Sequence, residues 1–112
     1  EYLGLTPPDD SRGVLQDVHW SSGLIGYFPT YALGNLISAQ LWDKMLADHP
    51  EIPAAVSEGD FRAILAWLRE NVHRHASRYD PLDLVRRITG GPIDPEPYLR
   101  YLSTKYRGIY GF

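Results

Sequence analysis

Pro29-Thr-Tyr-Ala-Leu-Gly-Asn-Leu-Ile-Ser-Ala-Gln-Leu-Trp-Asp-Lys-Met-Leu-Ala-Asp48 decides the fold. Pro29 suits a first helical turn, where its missing amide would have no partner in any case. Leu33, Leu36, Ile37, Gln40, Leu41 and Lys44 follow helical spacing, and Tyr31, Trp42 and Met45 widen the apolar surface. A helix apolar around so much of its circumference expects neighbours on more than one side. Gly34 and Asn35 weaken it by propensity, and a glycine there often marks the close approach of another backbone. His49-Pro50 ends the run, because a residue before proline avoids helical angles. The spacing predicts one long helix over 29–48.

The remainder of the chain reads as more helices. One short turn is expected within 51–59, broken by Glu58-Gly59. Asp60 is placed to cap a helix running to about Val72, with Phe61, Leu65, Leu68 and Val72 as its apolar stripe and Ile64 beside them. Asp80-Pro81 repeats the signature of a cap followed by proline and opens a helix to about Thr89, with Leu82, Leu84, Val85 and Ile88 on its apolar side. Gly90-Gly91-Pro92 stops it, and no Walker pattern surrounds those glycines. Asp94-Pro95-Glu96 opens the last helix, expected to reach about Tyr106. Tyr98, Leu99, Leu102, Tyr106 and, if the helix continues, Ile109 share one side of it, with Tyr101 and Arg107 more exposed. The aromatics from 98 to 112 read as core and interface. The class is all-α: four or five helices behind an irregular N-terminal loop.

On the N-terminal side of the long helix lie Gly13-Val-Leu-Gln-Asp-Val-His-Trp20 and then Ser21-Ser-Gly-Leu-Ile-Gly-Tyr-Phe-Pro-Thr-Tyr31. Gly13, Gly23, Gly26 and Pro29 break any periodicity, so the backbone is expected to be irregular. Val14, Leu15 and Val18 fit a short strand or one helical turn equally well. Polar and aromatic groups on such a segment, beside a helix start, suit a binding or catalytic surface, and suit a packed loop as well. Residues 1–12 read as a connector, with Thr6-Pro7-Pro8-Asp9-Asp10-Ser11 rich in turn formers.

Composition sets limits. The chain has 112 residues, 44% of them hydrophobic, enough for one modest core. A formal charge of -3 argues against a nucleic-acid partner. No cysteine is present, so neither a disulfide nor a thiolate zinc site can form. No apolar run is long enough to span a bilayer, which argues against a membrane partner. His19, His49, His73 and His75 do not form a ligand set; His73 and His75 would sit about 200° apart on a helix. A polar helix end, with basic side chains near the last carbonyls, suits His73-Arg74-His75 better than a metal pair. There is no His-Glu-x-x-His and no Gly-x-Ser-x-Gly. The chain offers parts of a catalytic centre: His19 as a hydrogen-bonding group, and the phenols of Tyr27 and Tyr31 as donors able to stabilise an oxyanion. Each has a structural alternative, a satisfied histidine or a core aromatic.

At these residues the sequence resembles a known family. Gly13-Val-Leu-Gln-Asp-Val-His-Trp20 matches the Gly-x-x-Gln-Asp-x-His-Trp signature of the thermostable, Taq-type metallocarboxypeptidases, a zincin-like family. Gly26-Tyr-Phe-Pro-Thr-Tyr-Ala-Leu-Gly-Asn35, His73-Arg-His75, Tyr79 and Asp94-Pro-Glu-Pro-Tyr-Leu-Arg-Tyr101 carry the resemblance across essentially the whole chain.

The resemblance implies a mostly helical enzyme that removes single residues from peptide C-termini. It would use zinc or cobalt bound by His-Glu-x-x-His and a later glutamate. Those elements are absent here, so the chain is expected to be the family's C-terminal segment: no metal ligand of its own, no activity alone, and the N-terminal part of the same chain as partner. The opening Glu1-Tyr-Leu-Gly4, with no methionine, agrees with a segment of something longer. The resemblance further implies peptide substrates, a homodimer, a cytoplasmic location, and His19 with Tyr31 or Tyr27 contacting substrate and tetrahedral intermediate. Gln16, Asp17 and Trp20 would support them or border the groove, with Asp17 orienting His19 or capping local amides. Leu24, Ile25, Phe28 and the first long helix are expected to expose an apolar face. The rival reading is a free-standing helical interaction module without catalysis.

Overall fold

The computed structural model describes residues 4–111; Glu1, Tyr2 and Leu3 of the expected connector, and the last of the C-terminal aromatics, Phe112, lie outside the described residues. The chain divides into two compact units, Glu1–Ala32 and Leu33–Phe112. Among the described residues every regular element is helical, so the fold is all-α. None of those helices is long and apolar enough to cross a membrane.

The first unit is a series of tight turns. A 3-10 turn spans Asp10–Arg12, capped by Asp9, whose carboxylate accepts from the Arg12 backbone N–H at 2.8 Å. A second covers Val14–Gln16, and a short helix, α1, covers Val18–Ser21. The choice that periodicity left open between strand and helical turn is therefore settled as helical. No described residue of this unit is buried. Local hydrogen bonds and ring contacts, not an apolar core, give it shape.

α2 runs over Pro29–Asp48, the limits that Pro29 and His49-Pro50 dictate, and its first turn belongs to the first unit. Then follow α3 (Ile52–Ser57), α4 (Arg62–Asn71), a 3-10 turn (His73–His75), α5 (Pro81–Thr89) and α6 (Glu96–Tyr110). The core of the second unit joins Met45 of α2, Ile52 of α3 and Trp67 of α4, with Leu41, Leu46, Val56, Ile64 and Leu68 half-buried against them. Ile52 is 0% exposed. Burying a side chain of that size stabilises by about 1.5–3 kcal/mol. Trp67 needs a partner for its indole N–H, and Asp48 Oδ2 accepts it at 2.9 Å. Lys44 and then that indole bond hold the Asp48 carboxyl below its ordinary range.

One buried polar side chain fastens the loop between α5 and α6. Gln40 of α2 donates through Nε2 to the Pro92 carbonyl at 2.9 Å and to Thr89 Oγ1 at 3.2 Å. Its Oε1 accepts from the Asp94 N–H at 3.1 Å. A buried amide is tolerated when its donors and acceptor are met, as they are here.

Several expectations need correction. α4 begins at Arg62 with Phe61 in the cap position, although Asp60 still accepts from the Arg62 N–H at 3.0 Å. The α4 stripe is rotated: Phe61 and Leu65 are 58% and 42% exposed, and Trp67, left out of the expected stripe, is the buried residue. His73-Arg74-His75 is not a helix end but a separate 3-10 turn. It closes on Ala76 at φ 47°, the only described non-glycine residue with positive φ. α6 starts at Glu96 and continues to Tyr110, beyond the expected end at Tyr106. None of its residues is buried, so its aromatics are not core; Tyr98 stacks on Tyr101 and Tyr106 on Tyr110.

Candidate functional site

The motif residues lie within the first unit, and two glycines shape their backbone. Gly13 allows close approach, since a Cβ there would stand 2.9 Å from the Pro7 ring. Gly26 turns the chain at φ +76°, a conformation that side chains resist. After α1 the chain closes by Leu24 N–H donating to the His19 carbonyl at 2.8 Å. Thr30 then bonds the Tyr27 carbonyl through its hydroxyl at 2.7 Å, fixing the entry to α2.

This path brings His19 among three rings. Tyr27 stacks on it at 5.8 Å between centroids, while Phe28 and Tyr31 meet it edge-on at 5.2 and 5.7 Å. The His19 side chain is 17% exposed. Asp17 Oδ1 accepts from the His19 backbone N–H at 2.8 Å, capping α1, and lies 2.7 Å from His19 Nδ1. The backbone bond first, and then the ring, hold the Asp17 carboxyl below its ordinary range. On the far side of the ring, Nε2 lies 3.3 Å from the Tyr31 hydroxyl. Asp17, His19 and Tyr31 thus form a continuous polar chain through an imidazole. Such a chain orients a hydroxyl and a ring nitrogen side by side, where both can address one ligand oxygen.

The other candidates fall differently. Tyr27 contributes its ring face to His19. Gln16 lines a shallow hollow with Asp17, Val18, His19 and Phe28, but its amide donates to the Ser11 carbonyl. Trp20 is 60% exposed, and the described contacts place no ring against it. Phe28, expected only as part of an apolar face, is a wall of the histidine pocket; its position next to Pro29 was the available signal. Leu24, Ile25 and Phe28 are indeed exposed.

Away from this cluster, His75 packs on Tyr79 at 5.4 Å, and the Arg87 guanidinium lies over the same phenol at 4.4 Å. Among the described residues no three His, Asp or Glu side chains converge as metal ligands. The described residues therefore do not fit a metal centre.

Comparison with known proteins first gives a class: the relatives named here are carboxypeptidases. The matching family model, carboxypeptidase Taq (M32) metallopeptidase, covers residues 1–106, and the chain belongs to that family. Carboxypeptidase 1 of Bacillus subtilis is 48% identical over 110 residues, 98% of this chain and 22% of the relative. Thermostable carboxypeptidase 1 of Thermus thermophilus is 44% identical over 111 residues, 99% of this chain and 22% of the relative. Among solved structures, the M32 carboxypeptidase of Deinococcus radiodurans matches with a TM-score of 0.91 at 45% identity, over 98% of this chain and 22% of that one. The chain thus spans 22% of the length of these relatives.

Proposed function

We propose that this chain is the C-terminal part of a metal-dependent carboxypeptidase that cleaves the last peptide bond of peptide substrates, and that its share of the site is substrate and oxyanion contact. The observation that carries this reading is the Asp17–His19–Tyr31 chain, set on the residues of the family motif. Tyr31 and His19 would donate to the scissile carbonyl oxygen as it gains charge, with Tyr27 holding the imidazole face and standing as the second candidate phenol. Gln16 and Trp20 would border the groove. The metal, zinc or cobalt, would be held by upstream residues of the longer polypeptide. Peptides, that upstream part and a second copy of the enzyme are the proposed partners, in the cytoplasm.

The reading divides labour between this chain and the rest of the enzyme, and that division is testable. The 112-residue chain, supplied with zinc or cobalt and an N-terminally blocked dipeptide with a free carboxylate, is expected to give no turnover. The longer polypeptide containing it is expected to hydrolyse the same substrate and to lose activity with a chelator. Metal-dependent turnover by the 112-residue chain alone would overturn the division. An inert longer polypeptide would favour the interaction module.

A further inference from the structure

We infer that Asp17 is a positioning residue that fixes His19 as the Nδ1–H tautomer and thereby sets which way the Tyr31 hydroxyl donates. The tautomer stands on geometry; only its catalytic consequence rests on the function proposed above. An ionised carboxylate has no proton to give, so at 2.7 Å it can only accept, and His19 Nδ1 must carry the hydrogen. In the neutral ring Nε2 is then a lone pair, and the hydroxyl 3.3 Å away must donate to it. The Tyr31 proton is therefore held inside the cluster and is not offered to a ligand.

A second proton on His19 reverses this. Taken from solvent, it adds to the Nε2 lone pair, and the new N–H points between the Tyr31 oxygen and a ligand oxygen beside it, so that His19 becomes a donor as well. The phenol proton stays on its oxygen but turns away from the ring, free to donate to an external oxygen. Loss of the Nε2 proton to solvent restores the first arrangement. The titratable groups facing the imidazole are Asp17 from the cap of α1, Tyr27 from the loop before α2 and Tyr31 from the first turn of α2. Phe28, the remaining wall, has no ionisable atom. The same Asp17 oxygen also accepts from the His19 backbone N–H, so the cap that starts α1 aligns the ring as well.

Two-bond proton–nitrogen spectra of the 112-residue chain, labelled with 15N-histidine, read the tautomer directly, with the His19 signals assigned by their loss in His19→Gln. The expected result is Nδ1–H in the native neutral ring, retained in Tyr31→Phe. Asp17→Ser keeps a capping oxygen but falls short of the ring, and should shift the population toward Nε2–H. Asp17→Asn keeps the cap and removes the charge, so it should shift the population less, with α1 intact. In the native chain the Tyr31 13Cζ shift should follow His19 protonation. A native Nε2–H ring, or an unmoved tautomer in both Asp17 variants, would overturn the assignment. A Tyr31 signal blind to His19 protonation would overturn the reversal. None of these readouts involves peptide hydrolysis, so failure of the proposed function and failure of this inference are separable.

Discussion

The two units are held by different forces. In the second, Ile52, Met45 and Trp67 are shut away from water, and Gln40 is buried with its amide bonds met. In the first, no described residue is buried, yet its polar side chains are aligned by an acidic cap, a ring stack and a hydroxyl contact. Burial yields stability without chemistry; alignment near the surface yields chemistry with little stability. The contrast teaches that the motif residues are aligned by polar and ring contacts and not by a core, which is why they are the candidate site.

That contrast can be broken by mutation. The largest expected effect is Ile52→Ala, which should cost about 2–5 kcal/mol through a cavity at a fully closed position. His19→Ala in the same chain should cost less than about 1 kcal/mol, because it removes no core. Denaturant unfolding of both variants checks the pair, and equal losses would erase the distinction. Next comes Gln40→Ala, which leaves the Asp94 N–H and the Pro92 carbonyl without their partner. Pro92 and Asp94 are exposed residues, so water can take up the freed groups, and the loss should be about 0.5–1.5 kcal/mol, read as a lower unfolding midpoint.

The smallest effect should be Asp60→Asn, which sharpens the contrast by showing how little an exposed pair adds. Asp60 is lowered to about 2, first by the Arg62 guanidinium and then by the Arg62 backbone N–H. An unfolded aspartate titrates near about 3.9, so the folded carboxylate's contribution is complete above that value and fades as pH falls through about 2. The variant should melt slightly below the native chain at pH 6, with the gap closing as pH falls through about 2. A gap that widens in acid would reverse the assigned sign.

How much of this was legible in the sequence depends on the range of the forces involved. Helix limits were readable where proline and its neighbours act locally: Pro29 and Asp48 for α2, Pro81 and Thr89 for α5. The rotation of α4 was not, because Phe61, Ile64, Leu65, Trp67 and Leu68 are all apolar and only the neighbours of Trp67 choose which face is inside. Gln40 could be placed at a helical core spacing, but its partners at Thr89, Pro92 and Asp94 are brought to it by tertiary structure. The candidate site was legible as residue types through a resemblance. The contact of His19 with Tyr31 was not legible from spacing, since it depends on the positive φ of Gly23 and Gly26 between them. The double bond of Asp17 to both backbone and ring of His19 combined two roles that the sequence presented as alternatives.

The central claim is that the first unit carries function and not stability, and one measurement addresses it most directly: kcat, KM and unfolding midpoint of His19→Ala in the longer polypeptide that contains this chain. Removing one oxyanion donor should lower kcat by about 10²–10³. The account expects that fall with the midpoint unchanged. Undiminished kcat, or a loss of activity matched by a collapse of the midpoint, would contradict it.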